Sequence, residues 1–168
     1  ATATLLADQL TWGTVSSSAR NVGLNLVTQG AQVLTDITLS GDLTVTTGAG
    51  GLVGGVSQAT GTALDVAGTS TFYADTKAGQ VAELTSSTNK FVGAVSFRPQ
   101  NGGSWEKAAV VNALPLVMGA TTVSGDLSLK STGGGITQVG PLLVGGNTDI
   151  EAMAGSVLLT DADNSFAG

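Results

Sequence analysis

The chain has 168 residues, enough for one domain with a real core, and its 25 glycines and mean hydropathy of +0.31 are not the composition of a disordered segment. Only 11% of residues are charged, and the six basic ones are scattered singly in a chain of net charge −6, which argues against a nucleic-acid surface. Cysteine and histidine are both absent, which removes disulfides, thiol chemistry, the commonest general base and the commonest metal ligand.

From Ser40 onward the chain writes one passage twice. Ser40-Gly41-Asp42-Leu43 returns as Ser124-Gly125-Asp126-Leu127, and Gly54-Gly55-Val56-Ser57-Gln58 as Gly134-Gly135-Ile136-Thr137-Gln138. Val66-Ala67-Gly68-Thr69 returns as Val144-Gly145-Gly146-Asn147. Leu84-Thr85, Asn89, Phe91 and Gly93 return as Leu159-Thr160, Asn164, Phe166 and Gly168. The copies span residues 40–93 and 124–168. Their offset falls from 84 to 80, 78 and 75 along the passage, so the lost residues lie between the blocks. Blocks are framework and gaps are turns, because turns tolerate deletion and frameworks do not.

The copies also reveal parity. Leu43 and Val45 match Leu127 and Leu129; Leu64 and Val66 match Leu142 and Val144; Phe72 and Ala74 match Ile150 and Ala152. The residues between them change freely: Thr44 to Ser128, Thr46 to Lys130, Thr71 to Asp149, Tyr73 to Glu151. One parity keeps its chemistry and the other drifts, which is the period-two signature of strands with one face on a core. With blocks about twenty residues apart and glycines at the corners, the expected architecture is all-β: a right-handed parallel β-helix of roughly eight coils of about 21 residues, forming a single repeat segment over residues 1–168. The expected core includes Leu43, Val45, Leu64, Val66, Phe72, Phe91, Leu127, Leu129, Val144, Ile150 and Phe166. Gln58 and Gln138 are expected at inner corners on backbone partners, and Asn89 and Asn164 in the left-handed conformation. The longest nearly apolar stretch, 108–120, is broken by Asn112 and Pro115, so no membrane-spanning segment is expected.

One segment breaks the pattern. Arg98 to Lys107 lies between "FVGAVSF" and "AAVVNALPLVMGATTVSG", and is expected to be a protruding loop. Arg98, Trp105, Glu106 and Lys107 are its candidate ligand-binding residues, since exposed loop tryptophans are favoured contacts. The competing reading folds Trp105 back over the coil edge. Asp161 and Asp163 offer carboxylates, but copy one has Ser86 and Thr88 there, and hard cations want six to eight oxygens. Asp65 and Asp149 match Leu143 and Thr71 in the opposite copy, so no facing carboxylate pair of the glycosidase type is expected. Threonine arrays such as Thr44-Val45-Thr46 are not repeated coil after coil, as an ice-matching face requires. The expectation is therefore no enzyme, no metal and no cofactor.

The phrases "VSGDLSLKSTGGGITQVGPLLVGG", "LTSSTNKFVGAVSF" and "LLTDADNSFAG" resemble the repeats of filamentous-haemagglutinin-type exoproteins, over roughly residues 32–168. That resemblance implies a β-helical shaft of a two-partner-secreted adhesin, located at the outer surface of a Gram-negative cell or secreted from it. The family's secretion domain carries an Asn-Pro motif, and no Asn-Pro pair occurs here, so the chain is expected within the shaft. Partners implied are host or matrix glycans or surface proteins. An alternative is a carbohydrate-binding module contacting extracellular polysaccharide. Open strand edges at both ends also lead to an expectation of end-to-end self-association.

Overall fold

The computed structural model describes residues 23–168, together with the strand backbone at Thr2–Ala7 and Val15–Ser16. Its strands are β1 (Thr2–Ala7), β2 (Val15–Ser16), β3 (Gly23–Thr28), β4 (Ala31–Leu34), β5 (Ile37–Leu39), β6 (Leu43–Thr47), β7 (Gly55–Gln58), β8 (Leu64–Val66), β9 (Ser70–Asp75) and β10 (Gln80–Leu84). There follow β11 (Lys90–Phe91), β12 (Val95–Gln100), β13 (Trp105–Asn112), β14 (Leu116–Met118), β15 (Thr121–Ser131), β16 (Ile136–Gln138), β17 (Leu142–Val144), β18 (Thr148–Ala152), β19 (Val157–Leu158) and β20 (Ser165–Phe166). Among the described residues there is no helix.

The strands stack as a β-solenoid of about 6 turns. One sheet runs β1-β3-β6-β9-β12-β14-β16-β19, a second β4-β7-β10-β13-β15-β17-β20 with β18 also on β15, and a third β2-β5-β8-β11. The ladders are parallel: Leu43 pairs with Ser70, and Ser70 with Val95. Each turn thus places its strands on the preceding turn and buries its apolar parity against both neighbours.

Turn length is not uniform. Ser70 follows its partner Leu43 by 27 residues, and Ala108 follows Ala82 by 26. Leu127 then follows Ala108 by only 19, and Thr148 follows Leu127 by 21. Gly23 likewise follows Thr2 by 21 and Leu43 follows Leu24 by 19, so the expected coil of about 21 residues describes the first and last turns and not the middle ones. The middle turns are longer because of glycine-bearing corners between the first and second sheets, at 48–54, 76–79 and 101–104. Pro99, in β12, has no N–H to offer the next rung, and beyond Val95 β12 pairs with β9 alone. The step from wide to narrow turns occurs here.

The step also moves the second copy around the rod. Three turns carry Leu43 through Ser70 and Val95 to Met118, all in the first sheet. Leu127, nine residues further on, stands in the second sheet beside Ala108. The repeated passage is therefore not a whole number of turns, and copy two sits one side further round than copy one.

The inward parity is as expected over most of the chain. Leu43, Val45, Leu64, Val66, Phe72, Phe91, Leu127, Leu129 and Val144 are buried. Two expectations fail. Phe166 is 41% exposed and Ile150 is only partly buried. The cause is stacking: β18 and β20 pair on one side only, so no further turn covers them. Asn89 and Asn164 also differ from expectation. Among the described residues the non-glycine positions at positive φ are Thr76 and Asn101, so these asparagines work through their side chains.

That work is the same in both copies. Asn89 Nδ2 donates to Gln58 Oε1 at 2.9 Å while Gln58 Nε2 donates back to Asn89 Oδ1 at 2.7 Å. Asn164 and Gln138 repeat the clamp at 2.9 and 2.8 Å. Asn89 Oδ1 also accepts the Leu64 N–H, and Asn164 Oδ1 the Leu142 N–H, both at 2.9 Å. The glutamines reach backbone as expected, Gln58 to Thr62 O and Gln138 to Gly140 O. Asp42 Oδ1 accepts the Thr69 N–H at 2.7 Å, and Asp126 Oδ1 the Asn147 N–H at 2.8 Å. The residue before each donor must be glycine. A Cβ on Gly68 would lie 2.4 Å from Asp42 Oδ1, and one on Gly146 would lie 2.5 Å from Asp126 Oδ1.

Candidate functional site

The segment Arg98–Lys107 is not a protruding loop. Residues 95–100 and 105–112 are strands, joined by a tight corner in which Gly103 N–H donates to Gln100 O at 2.8 Å. Asn101 and Gly102 both have positive φ, 48° and 85°, which makes the corner compact. The four side chains singled out in the sequence are divided among three environments. Trp105 is fully buried: its ring meets Phe97 edge-on at 5.9 Å, Phe97 stacks on Phe72 at 5.3 Å, and its Nε1 donates to Phe72 O at 3.2 Å. The tryptophan is a core residue with a satisfied donor, not a surface contact. Glu106 and Lys107 begin the outer face of the second sheet. Lys107 Nζ lies 2.8 Å from Glu83 Oε1, and this hydrogen bond, followed by the charge of Glu83, raises the lysine above its ordinary value of 10.5. Arg98 alone lies on the outer face of the first sheet.

That face is built by the outward parity of four strands. Asn25 and Val27 come from β3, Thr44 and Thr46 from β6, Thr71 and Tyr73 from β9, Ser96 and Arg98 from β12. Register aligns them into two columns, Asn25–Thr44–Thr71–Ser96 and Val27–Thr46–Tyr73–Arg98. Thr46, between Val27 and Tyr73, is only 8% exposed, whereas Arg98 is exposed. These two columns hold no acidic side chain, and the next outward position of β9 is Asp75, buried at the strand's end. Asp42 and Asp75 lie at its two corners, and each is engaged, Asp42 by Thr69 and Asp75 Oδ1 by Asn101 Nδ2 at 2.8 Å.

On the other faces the lysines are paired with acids. Lys90 pairs with Asp65 at 3.7 Å on the third sheet, and Lys107 with Glu83 and Lys130 with Glu151, both at 2.8 Å, on the second. Lys130 and Glu151 are the copy-two counterparts of Thr46 and Tyr73. Among the described residues, Lys77 and Arg98 are the two cations outside these ion pairs. Lys77 lies in the corner directly after β9, so both stand toward the same margin of the first sheet. Tyr73 was missed in the sequence because its partnership with Arg98 depends on a 25-residue turn, and the expected coil was about 21.

Elsewhere the surface offers less. A polar depression of about 420 Å³ lies between the corners at 59–61 and 85–88, lined by Gln58, Thr60, Ser86 and Thr88 among others, with no ionisable side chain. Asp161 Oδ1 accepts the N–H of Asp163 at 3.0 Å, an ordinary turn contact. Among the described residues no group of three carboxylates, histidines or cysteines is placed to hold a metal. No helix there is long and apolar enough to cross a membrane.

No curated protein and no solved structure matches the chain. A family model matches in two segments, residues 19–98 and 106–168, leaving out 99–105, the end of β12 and the corner that leads into β13. Together these segments take in most of the sequence, and the chain belongs to the family described as repeats of unknown function (DUF5649).

Proposed function

We propose that this chain is a shaft segment of a bacterial surface or secreted adhesin, a right-handed solenoid that supplies length and rigidity and holds adhesive regions away from the cell. One observation carries the reading. The side chains that return in both copies are those that build the turn: the inward Leu and Val columns, the Gln–Asn clamps and the Asp42 and Asp126 caps with Gly68 and Gly146 behind them. What the repeat preserves is the rod, and its outward chemistry is free to vary. The charged, ion-paired outer faces of the second and third sheets fit a surface that stays solvated while the rod is extended.

A test is small-angle scattering on the chain and on a head-to-tail tandem of it. A shaft predicts a rigid rod whose long axis grows by about 4.8 Å per added turn. A tandem that scatters as two beads on a flexible joint would overturn the reading. Surface labelling of cells that make the parent protein tests the location separately. The carbohydrate-binding alternative loses Trp105, which is in the core, and keeps Arg98.

A further inference from the structure

We propose that the outer face of the first sheet, over β6, β9 and β12, binds a linear glycan bearing carboxylates, with Arg98 and Tyr73 as its principal contacts. The proposal does not depend on the shaft reading, since a rigid rod is equally extended with or without a ligand.

The argument begins with charge. The chain is acidic overall, at −6, yet the two outward columns across β3, β6, β9 and β12 carry no acid and one guanidinium outside any ion pair; the acid of these strands is Asp75, buried at the end of β9. Every other cation of the described solenoid except Lys77 is already held by a carboxylate from the adjacent turn. Lys77 stands at the margin of the same face. An arginine fork matches a carboxylate with two parallel hydrogen bonds, and one without a protein partner has that capacity free. Both flanking acids keep their charge but are held by neutral partners, Asp42 by Thr69 and Asp75 Oδ1 by Asn101, and neither forms an ion pair with Arg98.

The rest of the face suits a sugar. Tyr73 is the register partner of Arg98 on the neighbouring strand, so their backbones lie one strand spacing apart, about 4.8 Å, and both side chains leave the same face. An aromatic ring offers an apolar platform to the C–H face of a pyranose, and its hydroxyl remains a polar handle. Beside them run the hydroxyls and amide of Thr44, Thr71, Ser96 and Asn25, which can donate to or accept from sugar hydroxyls along the rod axis.

Copy two is an internal control. At the positions of Thr71 and Tyr73 it carries Asp149 and Glu151, and at that of Thr46 it carries Lys130, bonded to Glu151 at 2.8 Å. The same coil thus tolerates an acidic, self-paired face, and the neutral aromatic one is peculiar to copy one. The double variant Thr71→Asp/Tyr73→Glu rewrites copy one as copy two with side chains the fold already carries.

The experiment is calorimetric titration of the chain with a purified oligogalacturonate and, in parallel, with a neutral maltodextrin of the same length. Binding of the uronate oligomer is expected, weakened by added salt. Arg98→Gln and Tyr73→Ala are each expected to weaken it by about tenfold or more, a loss of the size set by one charge-assisted contact. Thr71→Asp/Tyr73→Glu is expected to abolish it, while Lys130→Gln/Glu151→Gln leaves it unchanged; circular dichroism verifies that each variant keeps the parent's β signal. No binding of the uronate oligomer by the parent chain overturns the proposal. So does equal binding of the neutral glucan with no effect of Arg98→Gln, or an equal loss in the copy-two variant. Since none of these readouts measures rod shape, their failure leaves the scattering test of the shaft untouched.

Discussion

Removing the asparagine of a Gln–Asn clamp should cost far more in copy one than in copy two, although the two residues occupy equivalent places in the repeat. Asn89 is fully buried and makes four contacts: both arms of the Gln58 clamp, the Leu64 N–H, and Leu84 O at 3.2 Å. Asn89→Ala takes the side-chain partner from the buried Leu64 N–H, from Leu84 O and from Gln58 Oε1, while Gln58 Nε2 keeps Thr62 O. At about 1–3 kcal/mol for each group that no water reaches, and allowing Gln58 to swing out, the loss should be about 3–5 kcal/mol. Asn164 makes three equivalent contacts, but β20 pairs on one side only and the residue is half-buried, so water can replace much of what is removed. Asn164→Ala should cost about 1–2 kcal/mol. Urea melts followed by circular dichroism measure both, and amide exchange at Leu64 and Leu142 separates global unfolding from fraying of the last turn. Equal losses, or a loss below about 1 kcal/mol for Asn89→Ala, would show that the clamps are not what holds the turns in register.

Four further outcomes follow from the same packing. Phe91→Ala, at a fully buried ring, should cost about 3–5 kcal/mol in the same urea assay, and a variant melting with the parent would contradict the inward assignment. Ser70→Ala should be neutral or stabilising by up to about 1 kcal/mol, because the buried Ser70 Oγ has no hydrogen-bond partner, and a clear destabilisation would reveal one. The Lys107–Glu83 pair, with both side chains nearly half exposed, should show a coupling of only about 0.2–1 kcal/mol in a double-mutant cycle. Its lysine is raised above 10.5 in the folded chain, so the contribution is fully present below that value and is lost as pH rises through the folded one; a coupling that vanished on acidification to neutral pH would have the wrong sign. Static light scattering over a concentration series should show end-to-end association, because β18, β19 and β20 pair on one side only and Leu158 and Phe166 beside those edges are exposed; a mass constant with concentration would refute it.

The parallel stacking and most of the core were legible because the chain repeats itself. Comparing Leu43-Thr44-Val45 with Leu127-Ser128-Leu129 reads inward and outward parity from two examples, which a single strand does not provide. Turn length was not legible to the same degree. Blocks about twenty residues apart give the short turns of copy two, while the longer turns of copy one are set by corners whose size depends on glycine conformations such as Gly48 at φ 81° and Gly79 at φ 78°. The fate of Trp105 was hidden for a related reason. Polar and charged neighbours on both sides suggested a loop, but Trp105 stands opposite the buried Gln80 in the ladder, and a register shift between Trp105 and Lys107 turns it inward at an odd step from the core positions Ala108 and Val110. Asn89 was recognised as structural and given the wrong device, since sequence does not distinguish a backbone that turns left from a side chain that reaches across a turn.

The mismatch between repeat and turn has a consequence for the surface. Because copy two starts one side further round, equivalent outward positions of the two copies do not stand above one another: Thr71 and Tyr73 belong to the first sheet, Asp149 and Glu151 to the ladder of the second. A ligand lying along one side of the rod therefore meets the outward set of one copy and then a different set, never the same column continued. Inward positions are indifferent to this rotation, since every side of the solenoid needs an apolar residue at the same parity. Outward positions are not, because a contact surface built in copy one gains nothing from its repetition on another side. The geometry thus accounts for both halves of the pattern in the sequence: Leu, Val, Asn–Gln and Gly–Asp return, while Tyr73 and Arg98 stand alone.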